Sequence, residues 1–196
     1  MNNNLILGIS GNRQAGKDTL FTCLQKIDSR FYHYAFANQL KDDTASLVAN
    51  HMGYDPYNLT PEQKEIVRPL WIGYGMAQRA RDPLHWVKVV ANDIIQIQTV
   101  AGKWDCKPEI CPIPVVVDFR FENEVKYFRE TFGDSFKLIN VERNPAPPPT
   151  EEEMKHCEAV KAMSDYRVIW GNDTEEQRDD IARHIWVWLK NEGKVT

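Results

Sequence analysis

Apolar and polar positions along the chain fall into blocks that predict strands alternating with helices. Residues 5–10 (Leu5-Ile6-Leu7-Gly8-Ile9-Ser10) form a short apolar run and predict a strand, and 17–28 predict a helix. The aromatic-rich stretch from Phe31 to Ala37 predicts a second strand. Helix is predicted over 38–51, with Leu40, Leu47 and Val48 inward and Gly53 just beyond its end. Thr60-Pro61-Glu62-Gln63 has the form of a capping box with proline at the first helical position, so another helix starts there. Pro83 opens what the pattern predicts as the longest helix, where Val87, Val90, Ala91, Ile94 and Ile97 recur at helical spacing and Gly102 is the expected stop.

Val115-Val116-Val117-Asp118 is a run of branched apolar residues ending in a carboxylate, the pattern of a buried parallel strand with its polar residue at the carboxyl edge. Helix is expected over Glu122–Arg129 and strand over Phe136–Val141. Pro145 to Glu153 is rich in proline and glutamate and predicts a loop or lid. Tyr166–Trp170 predicts a last strand, and Thr174-Glu175-Glu176-Gln177 a second capping box. The helix after it places Ile181, His184, Ile185, Trp188 and Leu189 on one face. Alternating strands and helices predict an α/β fold with a parallel sheet covered on both sides. The strand ending in Asp118 is expected beside the N-terminal strand.

The first strand and helix are joined by Gly11-Asn12-Arg13-Gln14-Ala15-Gly16-Lys17-Asp18-Thr19. A strand, a glycine-bounded loop ending in Gly-Lys and a helix make a phosphate cradle. Backbone N–H groups turn inward, the helix N-terminus carries partial positive charge, and Lys17 reaches outer phosphates. The usual pattern has a hydroxyl after the lysine; here Asp18 stands there and Thr19 follows.

Composition adds exclusions. The 196 residues suit one domain, 42% hydrophobic and 27% charged, and a net charge of −4 gives no electrostatic footprint for nucleic acid. The N-terminus Met1-Asn2-Asn3-Asn4 lacks the pattern of a signal peptide, and no apolar run is long enough to span a bilayer, so cytoplasm is expected. Cys23, Cys106, Cys111 and Cys157 match no zinc spacing. Cys106 and Cys111 share one loop and could pair, although free thiols fit the expected compartment better. His33, His51, His156 and His184 form no ligand spacing. Trp186 and Trp188 read as core or as a subunit contact, which leaves a homodimer open.

Phosphoryl transfer needs Mg²⁺ and cationic clamps. Asp118 and Asp18 are the candidate metal carboxylates; a strand-end cap and a first-turn dipole partner are their structural alternatives. Arg120, two residues past Asp118, clamps phosphate or pairs with Asp118 or Glu122. Arg68, Arg79, Arg81, Asp82, His85, Trp86 and Lys88 make a basic cluster interleaved with Trp71 and Tyr74, which suits a nucleotide acceptor or a solvated helix face. Lys41 and Asp42 are further candidates.

Several segments together resemble the bacteriophage deoxynucleoside monophosphate kinases, P-loop enzymes of the wider nucleotide kinase group. They are Gly16-Lys17-Asp18-Thr19, Phe36-Ala37-Asn38-Gln39-Leu40-Lys41, Arg68-Pro69-Leu70 with Tyr74-Gly75, Asp82-Pro83-Leu84-His85-Trp86-Val87-Lys88, and Asp118-Phe119-Arg120-Phe121-Glu122-Asn123-Glu124. Asp165-Tyr166 and Asn172 follow in the same order. The resemblance implies a three-layer P-loop fold, one kinase domain over 1–196, with an acceptor-binding region at about 38–100 and a lid-like loop at about 143–156. It implies transfer of the γ-phosphate of ATP to a dNMP with Mg²⁺, giving ADP and a dNDP. By the same resemblance Lys17 and the loop backbone bind ATP phosphates. Arg68 and Arg81 hold the acceptor phosphate, and Trp86 and Phe36 line the acceptor pocket. Arg120 contacts phosphate, and Asp118 sits near the metal. The 143–156 stretch offers only Arg143 and Lys155 as cations, so catalytic charge is expected from Arg13, Arg120 or Arg143. If the chain is phage-encoded, its compartment is the host cytoplasm.

Two rivals remain open on the sequence. One keeps the phosphate loop but changes the acceptor, to another small molecule or a modified base in DNA. The other is a nucleotide-binding module without turnover.

Overall fold

A computed structural model describes residues 5–103, 110–144 and 151–195. The chain divides into two compact units: residues 1–34 with 93–196, and residues 35–92.

The first unit is built on five parallel strands. In chain order they are β1 (Ile6–Ser10), β2 (Phe31–Tyr34), β3 (Ile113–Phe119), β4 (Phe136–Arg143) and β5 (Tyr166–Trp170). Their spatial order is β2-β3-β1-β4-β5. All of β1 is buried and β3 nearly so, as strands covered on both faces must be. The expected neighbour of β1 is found: Leu7 pairs with Val115 and Gly8 with Val116. Helices flank the sheet in an α/β three-layer arrangement. They are α1 (Lys17–Ile27), α5 (Glu122–Phe132), α6 (Glu151–Ala162) and α7 (Glu175–Asn191). Phe119, Phe128 and Phe136 stack within 5.4 Å of one another and fill the layer under α5.

The second unit is helical. It holds α2 (Phe36–Met52), α3 (Pro61–Arg81) and the start of α4 (His85–Lys103). Val48, Leu59 and Val67 form its buried centre with Met52, Tyr54, Leu70 and Trp71 against it. Both capping boxes form as expected, Thr60 with Gln63 and Thr174 with Gln177. No described helix is long and apolar enough to cross a membrane.

Several expectations are corrected. β2 stops at Tyr34, and Phe36 and Ala37 open α2 instead of ending a strand. Leu47 is 44% exposed; Thr44 takes the inward place because the Trp71 indole donates to its hydroxyl at 3.1 Å. Among the described residues the longest helix is α3, 21 residues, while α4 begins at His85, where the Asp82 carboxylate accepts from the Leu84 N–H. Ile97 is exposed, and Gly102 lies inside α4. Of the acidic, proline-rich stretch, 145–150 lies outside the described residues, and 151–156 is helix, not loop. His184 is exposed, so α7 buries Ala182, Ile185 and Leu189. Trp186 and Trp188 pack on Phe31 and Tyr166 of their own chain. Cys111 is disulfide-bonded, against the expected free thiol; Cys106 lies outside the described residues.

Candidate active site

At the carboxyl end of β1 the backbone leaves the sheet through conformations that side chains resist. Gly11 has φ +144° and Gly16 φ +91°, with Gln14 at +61° between them. A Cβ on Gly11 would collide with the Val141 carbonyl, and one on Gly16 would sit 2.9 Å from the Trp170 indole nitrogen. Both glycines are therefore required by close approach as well as by φ. The loop closes on a turn in which the Ala15 N–H donates to the Asn12 carbonyl. No side chain caps α1 at Gly16. Its first N–H groups thus point from a positive helix end into the cradle, the geometry that holds a phosphate.

Lys17 is the first residue of α1. Its ammonium donates to the Gly11 carbonyl at 2.9 Å and the Asn12 carbonyl at 3.0 Å. Burial lowers its pKa below the ordinary lysine value; the Asp118 carboxylate opposes that shift and the Arg120 guanidinium adds to it. The expected neighbourhood of Lys17, Asp118 and Arg120 is therefore formed. Arg120 donates to Asp118 at 2.8 Å, the ion pair that was the alternative to phosphate clamping. Buried Glu124 fixes this corner by accepting the backbone N–H groups of Arg120 and Phe121 at 3.0 and 3.1 Å. Arg13 is exposed on the loop.

The two carboxylates named for a metal differ in exposure, although both raise the Lys17 pKa against burial. The Asp118 side chain is 21% exposed. The Asp18 side chain is 89% exposed and lies 3.8 Å from His33. Among the described residues no group of three potential ligands occurs. A triphosphate-borne Mg²⁺ needs only one or two protein carboxylates, so Asp118 fits that ion and the cradle fits the phosphates.

A second wall of the site was read from the sequence only in part: Gly16 and Thr19 line a cleft with Arg143 and Asn172, which were named, and with Trp170 and Arg178, which were not. The Asp173 carboxylate accepts the Gly171 N–H at 2.5 Å and holds the turn after β5. The available signal was Gly171-Asn172-Asp173 directly after a strand, a turn with a carboxylate able to cap it.

In the second unit, Lys41 and Arg68 do meet. They line one cleft with Trp71, Tyr57, Lys64 and Asp42, the carboxylate named beside Lys41, and the Lys41 ammonium lies 5.7 Å from the Trp71 ring centre. Tyr57 and Lys64 were not singled out from the sequence: Tyr57 lies in the loop between α2 and α3, and Lys64 is a charged residue in the first turn of α3 that no motif marks. Other named residues stand apart from this cleft. Asp82 is engaged by Lys88 at 2.7 Å, and Trp86 is 2% exposed and donates to the Gly75 carbonyl at 3.4 Å. Phe36 is likewise buried, and Arg79 and Arg81 are not among the walls.

No family model and no curated protein matches this sequence. Among solved structures, the chain is similar to a sugar kinase from Janibacter sp. HTCC2649, at 11% identity over 98% of both chains with a TM-score of 0.49. It is also similar to a gluconokinase from Sinorhizobium meliloti 1021, at 9% identity over 96% of this chain and 99% of that one, with a TM-score of 0.41. Likeness at that level decides nothing about chemistry, which rests on the loop, Lys17 and Asp118.

Proposed function

We propose that this chain is an ATP-dependent kinase that phosphorylates a small anionic acceptor, and that the acceptor is a deoxynucleoside monophosphate. The observation that carries the first half is the Lys17 ammonium at the mouth of a glycine-bounded loop, beside Asp118 and an uncapped helix N-terminus. The choice of acceptor rests on the resemblance of the sequence segments, with the cationic, aromatic-lined cleft of the second unit in support.

Bound at the loop, ATP supplies the γ-phosphoryl group and Mg²⁺ screens its oxygens. The loop N–H groups and Lys17 would hold the phosphates, and Asp118 would hold the metal directly or through water. Arg120, now on Asp118, is placed to share its charge with a transferring phosphate. Lys41, Lys64 and Arg68 would hold the acceptor's anionic group, with the Trp71 face beside it. An acceptor oxygen forms the new bond to phosphorus as the bond to ADP breaks, and no covalent enzyme intermediate is needed.

A different small anionic acceptor is favoured by one observation: Trp86 and Phe36, the residues named to line a base pocket, are buried. ADP release from ATP and Mg²⁺, with dNMPs, NMPs, modified dNMPs and phosphorylated sugars as acceptors, tests both readings. Stimulation by dNMPs, lost in Lys17→Ala and reduced in Arg68→Ala, is the expected result. Stimulation by another acceptor alone moves the substrate class. ATP binding with no ADP formed under any acceptor overturns the kinase reading in favour of a binding module.

A further inference from the structure

Buried polar groups are almost always hydrogen-bonded, so each exception calls for an explanation. Among the described residues three buried side-chain atoms have no partner: Asn12 Oδ1, Asn140 Oδ1 and Trp170 Nε1. All three belong to the frame of the phosphate loop. Asn12 is in the loop. Asn140 is in register with Ser10, the residue before it, and donates to the Ser10 hydroxyl at 3.0 Å. Trp170, 3% exposed, lies against Gly16. Two of the loop's own carbonyls, on Gly11 and Asn12, are meanwhile bonded to the Lys17 ammonium, the group the chemistry requires on phosphate.

The donors and acceptors of this region are thus arranged for a loop conformation other than the one in which Lys17 folds back. We infer that Trp170 is a positioning residue for the phosphate loop: its indole N–H takes a backbone carbonyl of the Ala15–Lys17 stretch once Lys17 leaves Gly11 and Asn12 for a bound polyphosphate. The inference rests on the loop being a triphosphate site. Gly16 is the hinge, because a φ of +91° with no side chain lets its peptide planes rotate against the indole. The ring, fixed in β5, serves as the stop against which the loop sets, and its polar edge rewards the set position alone.

This arrangement has a signature opposite in sign to ordinary packing. In protein without nucleotide, Trp170→Phe keeps most of the ring and deletes an unpaired donor, so the thermal midpoint stays unchanged or rises. Added ATP then raises the midpoint of Trp170→Phe less than that of wild type, with the KM for ATP up about fivefold to tenfold, one lost hydrogen bond, and kcat changed less. A merely structural tryptophan would give the reverse: a lower midpoint without nucleotide and an unaltered shift with it.

A second measurement needs no variant to fold. In ¹⁵N-labelled wild type, one indole N–H resonance of the six tryptophans should move downfield on adding ATP, and equally on adding tripolyphosphate, which has no nucleoside. All six indoles staying in place, or movement with ATP and none with tripolyphosphate, overturns the inference. Absence of any ATP shift in the wild-type midpoint condemns the triphosphate site itself, a result distinct from an intact shift that Trp170→Phe leaves untouched.

Discussion

The two ends of the parallel sheet in the first unit use polar residues in opposite ways. At the amino ends of three strands, charged side chains are paired. Asp28 and Arg30, before β2, pair at 2.6 Å with side chains only 12% and 10% exposed. Asp165, before β5, accepts the Leu138 N–H at 2.7 Å and the Arg129 guanidinium at 3.1 Å. Lys137, near the start of β4, meets Glu192 at 3.4 Å. At the carboxyl ends lie positive-φ residues, a half-buried ammonium bonded to loop carbonyls, and the unpartnered buried side-chain atoms found among the described residues. The same sheet is satisfied at one end and held ready at the other. Parallel strands make this division possible, since all their carboxyl ends open on one side.

The largest effect that follows belongs to the carboxyl end. Lys17→Ala should lower phosphoryl transfer by at least about 10³-fold, the scale of losing a preorganised charge on a transferring group. Stability should scarcely change, because burial opposes the ammonium while its two carbonyl bonds favour it. ADP release and a thermal melt on the same sample decide it. A variant that melts far below wild type would place Lys17 among the structural charges and erase the contrast between the two ends.

At the amino end the balance should reverse. Arg30→Ala leaves the Asp28 carboxylate in a site where burial disfavours its charge, at a cost of about 3 kcal/mol, or roughly 6–12 °C of melting temperature in a chain of this size. Activity per folded molecule should hold. The pH dependence carries a sign. Burial pushes the Asp28 pKa up, but the hydrogen bonds and charge of Arg30 win and hold it below the ordinary value. In wild type this contribution is complete above the ordinary aspartate range and fades as pH falls below it. Without the Arg30 guanidinium the burial is opposed only by the residue-30 N–H and by Lys190, so stability should begin to fall at a higher pH. Melting curves across the acid range check this. An acid limb identical to wild type would show the pair contributes nothing.

How far the sequence foretells these ends differs with the range of the interactions. The β1–loop–α1 unit, the placement of Asp118 beside it and both capping boxes are local patterns or short topological steps, and each is legible from residue order. What escaped depends on groups far apart in the chain. Helical periodicity offers Thr44 and Leu47 about equally to the inside, and the Trp71 indole selects Thr44. The aromatic run Phe31–Phe36 has strand propensity throughout, yet α2 begins at its last aromatic because tertiary context overrides propensity. Trp170 against Gly16, Asp18 turned to His33, and the Tyr57–Lys64 side of the second cleft are contacts that no spacing encodes.

The smallest effect sharpens the contrast within the active end. Asp118 is the carboxylate that most raises the pKa of Lys17 against burial, with Asp18 adding to it, whereas Arg120 lowers it. Replacing Asp118 by Asn removes the larger opposing charge and leaves burial and Arg120 against Asp18, so the Lys17 pKa drops further. Phosphate binding needs the charged ammonium. Affinity for ATP measured without Mg²⁺, which isolates this effect from metal binding, should therefore fall off at a lower pH in Asp118→Asn than in wild type as pH rises toward the ordinary lysine value of 10.5. At neutral pH the two affinities should lie within about threefold, the scale of a partly solvated charge interaction. Calorimetric titration over the alkaline range reads both numbers. Coincident alkaline limbs would show that Asp118 does not govern the charge on Lys17, and would leave metal binding as the role of that carboxylate.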